Sequence, residues 1–173
     1  MSILTKSEIE TLIKNHQPPL VEGYINLTEQ LQPNGIDLTL RDIAHIISAG
    51  QIGVSNNDRV ISDIEILSFE DTGFISLAPG AYLITYNEIV NMPSDITALG
   101  RPRSSLLRCG VDVGTAVWDA GYSGRSQSLF VVHNLAGFRV QRNARIMQLV
   151  FFHLNAATSG YDGRYQRENI APN

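Results

Sequence analysis

The chain is predicted to be all-β, a sandwich or jelly roll with a short N-terminal helix. Three observations carry that prediction. Short apolar runs recur at close spacing from residue 60 onward. Gly, Pro and Asn separate them, as turns require. The one strong helical signal lies within the first twenty residues.

The elements follow in chain order. Thr5 and Glu8 form a T-x-x-E capping box, with Leu4 and Ile9 placed to make the hydrophobic staple. Ile9, Leu12 and Ile13 share one helical face, and Pro18-Pro19 stops the helix. A second short helix is expected from Leu40 to Ala49, on a weaker pattern. Alternation from Val60 to Phe69 predicts a strand, and Phe74 to Leu77 predicts another, ending at Pro79-Gly80. A strand from Ala81 to Tyr86 is followed by a turn at Asn91-Met92-Pro93. Ser128 to His133 is expected to be a buried strand, closed by Asn134 and Gly137. Phe138 to Val140 and Ile146 to His153 complete the set, with no internal repeat. Residues 155–173 lack any hydrophobic period. They are either a frayed terminus or an arm that closes over a ligand, and Tyr161, Arg164, Tyr165 and Gln166 favour the arm. The expected division is a β domain with its helix over 1–154 and a flexible C-terminal arm over 155–173.

Bulk properties narrow the function. A chain of 173 residues, 43% of them apolar, supports one packed domain. Net charge is −4 and the pI is about 5.5, which gives no basic face for duplex nucleic acid, so no nucleic-acid partner is expected. The single cysteine, Cys109, rules out an internal disulfide and fits a reducing compartment. With four scattered His it makes a structural zinc site unexpected, and the zinc deaminase signature is absent. No apolar run approaches the roughly 18 residues of a membrane span, and the first residues lack the pattern of a signal peptide. A cytoplasmic protein with no membrane association is expected.

Two segments hold the candidate chemistry. Arg101-Pro-Arg-Ser-Ser-Leu-Leu-Arg108 sets guanidinium groups beside hydroxyl donors. Arg103, Ser104, Ser105 and Arg108 suit a phosphate chain, because arginine donates bidentately and clustered like charges repel unless an anion sits among them. A solvated turn explains Arg-Ser-Ser alone equally well. The second segment is Asp119-Ala-Gly-Tyr-Ser-Gly124. An Asp before Ala-Gly is commonly a turn cap. Here it follows Val113-Gly-Thr-Ala-Val-Trp118, a hairpin that offers backbone groups around Thr115 and Val117 to a base edge. Tyr122 could then pack on a sugar and disfavour a 2′-hydroxyl. Asp37, next to the Asn34-Gly35 turn, has a structural role by default. Gln148 faces away from the core if Met147 and Leu149 face into it.

In combination and in order, these segments resemble the trimeric superfamily of dUTP diphosphatases and dCTP deaminases, from about Leu31 to Asn169. Asn34-Gly-Ile-Asp-Leu38 is similar to its first motif, Arg103-Ser-Ser-Leu106 to its second, Ala116-Val-Trp-Asp-Ala-Gly-Tyr122 to its third and Ala144-Arg-Ile-Met-Gln-Leu-Val150 to its fourth. Tyr161-Asp-Gly-Arg-Tyr-Gln166 resembles the closing arm of the deaminase-like branch. The resemblance implies a distorted jelly roll (the β-clip of dUTPases) and a homotrimer with sites between subunits. It implies Asp119 as the catalytic carboxylate, assisted by Gln148, and Mg2+ supported through water by Asp37. Arg103, Ser104, Ser105, Arg108, Thr115, Val117, Tyr122, Tyr161, Arg164, Tyr165 and Gln166 would bind substrate.

Two departures from the deaminase pattern decide the branch. Deaminase chemistry needs a glutamate about ten residues beyond the hairpin aspartate to shuttle protons. Counting from Asp119 reaches Leu129, flanked by Ser128 and Phe130. The hairpin is also one residue shorter than the deaminase pattern. A dUTP diphosphatase of the deaminase-like, archaeal or phage type is therefore expected. The alternatives are a dCTP deaminase, a bifunctional deaminase-diphosphatase, and a non-catalytic nucleotide-binding domain. A capsid-like jelly roll would leave the polar motifs unexplained.

Overall fold

The computed structural model describes residues 2–170. Among the described residues there are three α-helices, α1 (Lys6–Asn15), α2 (Leu27–Gln30) and α3 (Ser104–Arg108), and a 3-10 turn at Asn56–Asp58. The strands before residue 80 are β1 (Val21–Glu22), β2 (Leu31–Gln32), β3 (Gly35–Ile46), β4 (Ile64–Ile66) and β5 (Phe74–Leu77). Then come β6 (Gly80–Tyr86), β7 (Ile89–Asn91), β8 (Ile96–Pro102), β9 (Val111–Gly114) and β10 (Val117–Trp118). The last four are β11 (Ser123–Gly124), β12 (Gln127–Val132), β13 (Phe138–Gln141) and β14 (Arg145–His153).

The α1 cap is reciprocal: Thr5 N–H donates to Glu8 Oε2 at 2.7 Å, and Glu8 N–H donates to Thr5 Oγ1. Leu4, Ile9 and Ile13 are buried, so the helix packs through the face its spacing predicts. The strands form a curled all-antiparallel assembly in the order β10-β8-β14-β3-β6-β12-β9, with β2 and β4 also on β3. A three-stranded sheet, β1-β7-β11, and the β5-β13 pair close the sides.

Residues 40–46 are strand, not the helix expected over 40–49. The first half of β3 pairs with β14 and the second with β6. The β6 register shifts between Leu40 and Asp42, so a bulge inserts one extra residue. Leu40, Ile43 and Ala44 all end up buried, and that three-and-four spacing imitates a helical face. The strand expected over 60–69 shrinks to β4, whose side chains are exposed. Strand β8 was not expected, because Gly100 and Pro102 interrupt its apolar run. Gly100 is required there: a Cβ would collide with Met147 Sδ and come within 2.9 Å of Thr115 Cγ2.

Glu88 is one of the buried carboxylates that shape the pH response of the fold. Glu88 is fully buried and accepts from Thr39 N at 2.9 Å, Thr39 Oγ1 at 2.6 Å and Gln30 Nε2 at 2.7 Å. Burial raises its pKa, and the hydrogen bonds offset this only in part. A raised folded-state pKa gives stability that is whole below the unfolded value of about 4.3 and is lost as pH climbs through the higher folded value. Stability to denaturant should thus decline from about pH 4.3 upward, and Glu88→Gln should flatten that decline. An identical slope in the variant would contradict this.

Candidate active site

A turn positions the key carboxylate. Tyr122 N–H donates to Asp119 O at 3.1 Å, and Gly121 at φ +82 supplies the left-handed residue. Gly121 N–H donates to Met92 O, and Met92 N–H to Tyr122 O, so the turn is tied to the end of β7. Thr97 Oγ1 donates to Trp118 O from β8. The Asp119 side chain emerges from this frame exposed, with no hydrogen bond to any described residue. It borders a cleft together with Val117, Trp118, Tyr122, Tyr161 and Tyr165.

The tail completes this cleft. Tyr161 N–H donates to Ala120 O, and its ring meets Tyr122 edge-on with centroids 5.8 Å apart. Gln166 spends both ends of its amide on the hairpin, accepting from Ser123 N at 2.8 Å and donating to Gly121 O at 2.9 Å. Arg167 N–H donates to Ser123 O, and Arg125 N–H to Glu168 O. Residues 155–170 are thus seated on the body, while positions 171–173 of the expected arm fall outside the described residues. Arg164 is exposed beside Arg59 and Asn56 in a hollow that shares Tyr161 and Tyr165 with the Asp119 cleft, and does not itself line that cleft.

Gly121→Ala tests this seat. A Cβ there would stand 2.7 Å from Gly160 Cα and 2.8 Å from Tyr161 N, both backbone atoms, in a conformation that L residues disfavour. The Tyr161 amide should then lose hydrogen-exchange protection and residues 155–170 should become protease-sensitive. Unchanged protection would contradict the seating.

The phosphate-type residues gather elsewhere. Arg103 caps α3 and donates its backbone N–H to Ile146 O. Its Nε lies 3.1 Å from Asp37 Oδ2, and Arg145 Nη1 lies 3.5 Å from the same oxygen. These are ion-pair contacts without well-aligned hydrogen bonds. The Asp37 side chain is 2% exposed, and burial raises its pKa despite both cations. Gln148 stands opposite Asp37 on one side and Arg101 on the other, between buried Met147 and Leu149. Ser104, Ser105 and Arg108 are exposed on α3. Thr115 lies beside Gly100 and does not line the Asp119 cleft, although Ala116 next to it does.

Sequence reasoning did not single out Arg145, Ser126, Gln127 or Glu168. Ser126, Gln127 and Glu168 line the cleft. Arg145 carried only its place in the fourth motif, because the register shift between Arg145 and Met147 breaks the alternation that would have aimed it. Glu168 carried none, because nothing in the sequence says where the tail lands.

The fold is similar to that of 2′-deoxycytidine 5′-triphosphate deaminase from Agrobacterium tumefaciens, with a TM-score of 0.64 at 24% identity, covering 86% of this chain and 47% of that one. A family model described as dCTP deaminase-like matches residues 3–154, and the chain belongs to that family. It is 48% identical over 171 residues to a probable deoxyuridine 5′-triphosphate nucleotidohydrolase of Methanococcoides burtonii, covering 98% of this chain and 100% of the relative. A protein of the same name from Archaeoglobus fulgidus is 45% identical over 170 residues, covering 98% of this chain and 99% of the relative. Among the described residues, no helix is long and apolar enough to cross a membrane.

Proposed function

We propose that this protein hydrolyses dUTP to dUMP and pyrophosphate. The observation that carries the reading is the unpaired Asp119 carboxylate at the mouth of an aromatic cleft, in a chain whose near-full-length relatives bear the name of that hydrolase. Asp119 takes a proton from a water whose oxygen bonds to the α-phosphorus. The bond from that phosphorus to the bridging oxygen breaks, and pyrophosphate leaves with the electron pair. Arg103, Ser104, Ser105 and Arg108 hold the phosphates, so orientation and charge neutralisation supply much of the rate. Gln148 steadies a hydroxyl or the water. Val117, Tyr122, Tyr161 and Tyr165 enclose the nucleoside.

Two copies must cooperate in this scheme. Trp118 pairs with Ala98 on β8, whereas Arg103 lies just beyond the other end of β8. At about 3.3 Å per residue this puts Asp119 about 20 Å from Arg103 along the strand. That span exceeds the length of a triphosphate from its α- to its γ-phosphorus, so in this reading Arg103 of one protomer serves Asp119 of another. Exposed Val117, which borders the cleft, and exposed Leu99, its partner on β8, suit burial between copies. The homotrimer implied by the resemblance provides such an arrangement.

The resemblance also implies Mg2+, which when bound offsets charge on the phosphate oxygens. Asp37 does not fit the role of holding metal-bound water: its carboxylate is buried and faces Arg103 and Arg145. Asp37 serves instead to aim Arg103, and no other His, Cys, Asp or Glu cluster among the described residues is suited to a metal.

A second reading, dCTP deamination, draws on Glu168. Leu129 remains without a carboxylate, yet Glu168 brings one to the cleft wall from the tail. Incubation with dUTP and with dCTP separately, with magnesium and products resolved by chromatography, decides between them. dUMP and pyrophosphate from dUTP alone is the expected result. Uridine nucleotides from dCTP would establish the deaminase, and tight binding without turnover would establish a binding domain.

A further inference from the structure

The cleft wall contains a hydrogen-bond chain that runs one way. Trp118 Nε1, which can only donate, gives its hydrogen to Ser126 Oγ at 2.6 Å. The Tyr122 hydroxyl donates to Glu168 Oε1 at 2.8 Å. Tyr122 has then no hydrogen left for Ser126, 3.0 Å away, so the Ser126 hydroxyl must donate to it. Every hydrogen points from the hairpin toward the tail, and the chain has to end on an acceptor.

We propose that Glu168 is a positioning residue for dUTP binding, seating the C-terminal arm on the cleft by terminating this chain. Among the described residues it is the arm's one side-chain bond to the hydroxyl network, reaching 46 residues back along the sequence. Trp118, Tyr122 and Ser126 are all buried, so an unfilled acceptor position would leave a donor stranded out of water. Its neighbours are fixed by the same seat: Arg125 N–H donates to Glu168 O, and the Asn169 side chain donates to Arg125 O at 3.0 Å. Glu168 sits partly buried, and burial raises its pKa, which fits a carboxyl group enclosed by the arm. The proposal rests on the hydrolase reading for its substrate, but the seat itself does not.

Trp118 is the only tryptophan in the chain and stands at the start of the relay, so its fluorescence reports on the seat directly. In Glu168→Ala the emission should shift to the red as the wall opens to water. The KM for dUTP should rise about tenfold or more while kcat changes by less than about threefold. Glu168→Gln keeps an acceptor oxygen and should restore both. Tyr122→Phe, which removes the donor and keeps the ring, should reproduce the rise in KM. An unshifted spectrum in Glu168→Ala, an unchanged KM in an active enzyme, or a Gln variant as impaired as the Ala variant would each overturn the proposal. Wild-type protein that fails to turn over dUTP would defeat the hydrolase reading, and the emission comparison would still decide the role of Glu168.

Discussion

Asp119→Asn is expected to lower kcat on dUTP about a hundred- to ten-thousandfold while KM stays within about threefold of wild type. The substitution keeps the size and hydrogen-bonding reach of the side chain and removes its basicity. Because Asp119 makes no side-chain bond to any described residue, the fold loses nothing with it. The turn that carries it is fixed through backbone atoms of Asp119, Gly121, Tyr122 and Met92, which the variant retains. A fall in kcat at steady KM therefore isolates the proton-accepting step from nucleotide binding. Near-normal turnover would remove Asp119 from that step.

Arg103→Ala should have the second large effect, and on two properties together. Loss of a charge-assisted donor should reduce kcat/KM about ten- to a hundredfold. It also strips Asp37 of the guanidinium 3.1 Å away and leaves Arg145, at 3.5 Å, as its remaining cation. A buried carboxylate with a weakened partner should cost about 1–3 kcal/mol of stability, read from the denaturant midpoint. Adding Asp37→Asn removes that charge, so the double variant should recover stability without recovering activity. Recovery of both would mean that Arg103 acts only through Asp37. Arg103→Lys should behave like the Ala variant in catalysis, since one ammonium cannot reach Asp37 and a phosphate as the planar fork can.

The residues differ in how far their fate was written locally. The α1 cap, the strands at 74–77, 81–86 and 146–153, and the Asp119-Ala-Gly121 turn were legible because each rests on side chains within a few positions of one another. The outcome at β3 was not, since a bulge set by pairing with β6 rearranged the burial pattern after the fact. The same limit applies to the site. Gln148 was placed correctly between two inward-facing neighbours, a matter of strand alternation alone. The ion-pair setting of Asp37 was not legible, because the cations that face it come from residues 103 and 145, far along the chain. Glu168 reaches the cleft through the Gln166 side chain on Gly121 and Ser123 and through backbone bonds of Arg167 to Ser123 and of Arg125 to Glu168, which no periodicity announces.

Hydrolysis of dUTP in water enriched in oxygen-18, with both products weighed by mass spectrometry, tests the account at its centre. Attack at the α-phosphorus by a water that Asp119 has deprotonated places one heavy oxygen in dUMP and none in pyrophosphate. Label in pyrophosphate, or release of ammonia in place of labelled dUMP when dCTP is supplied, would contradict it.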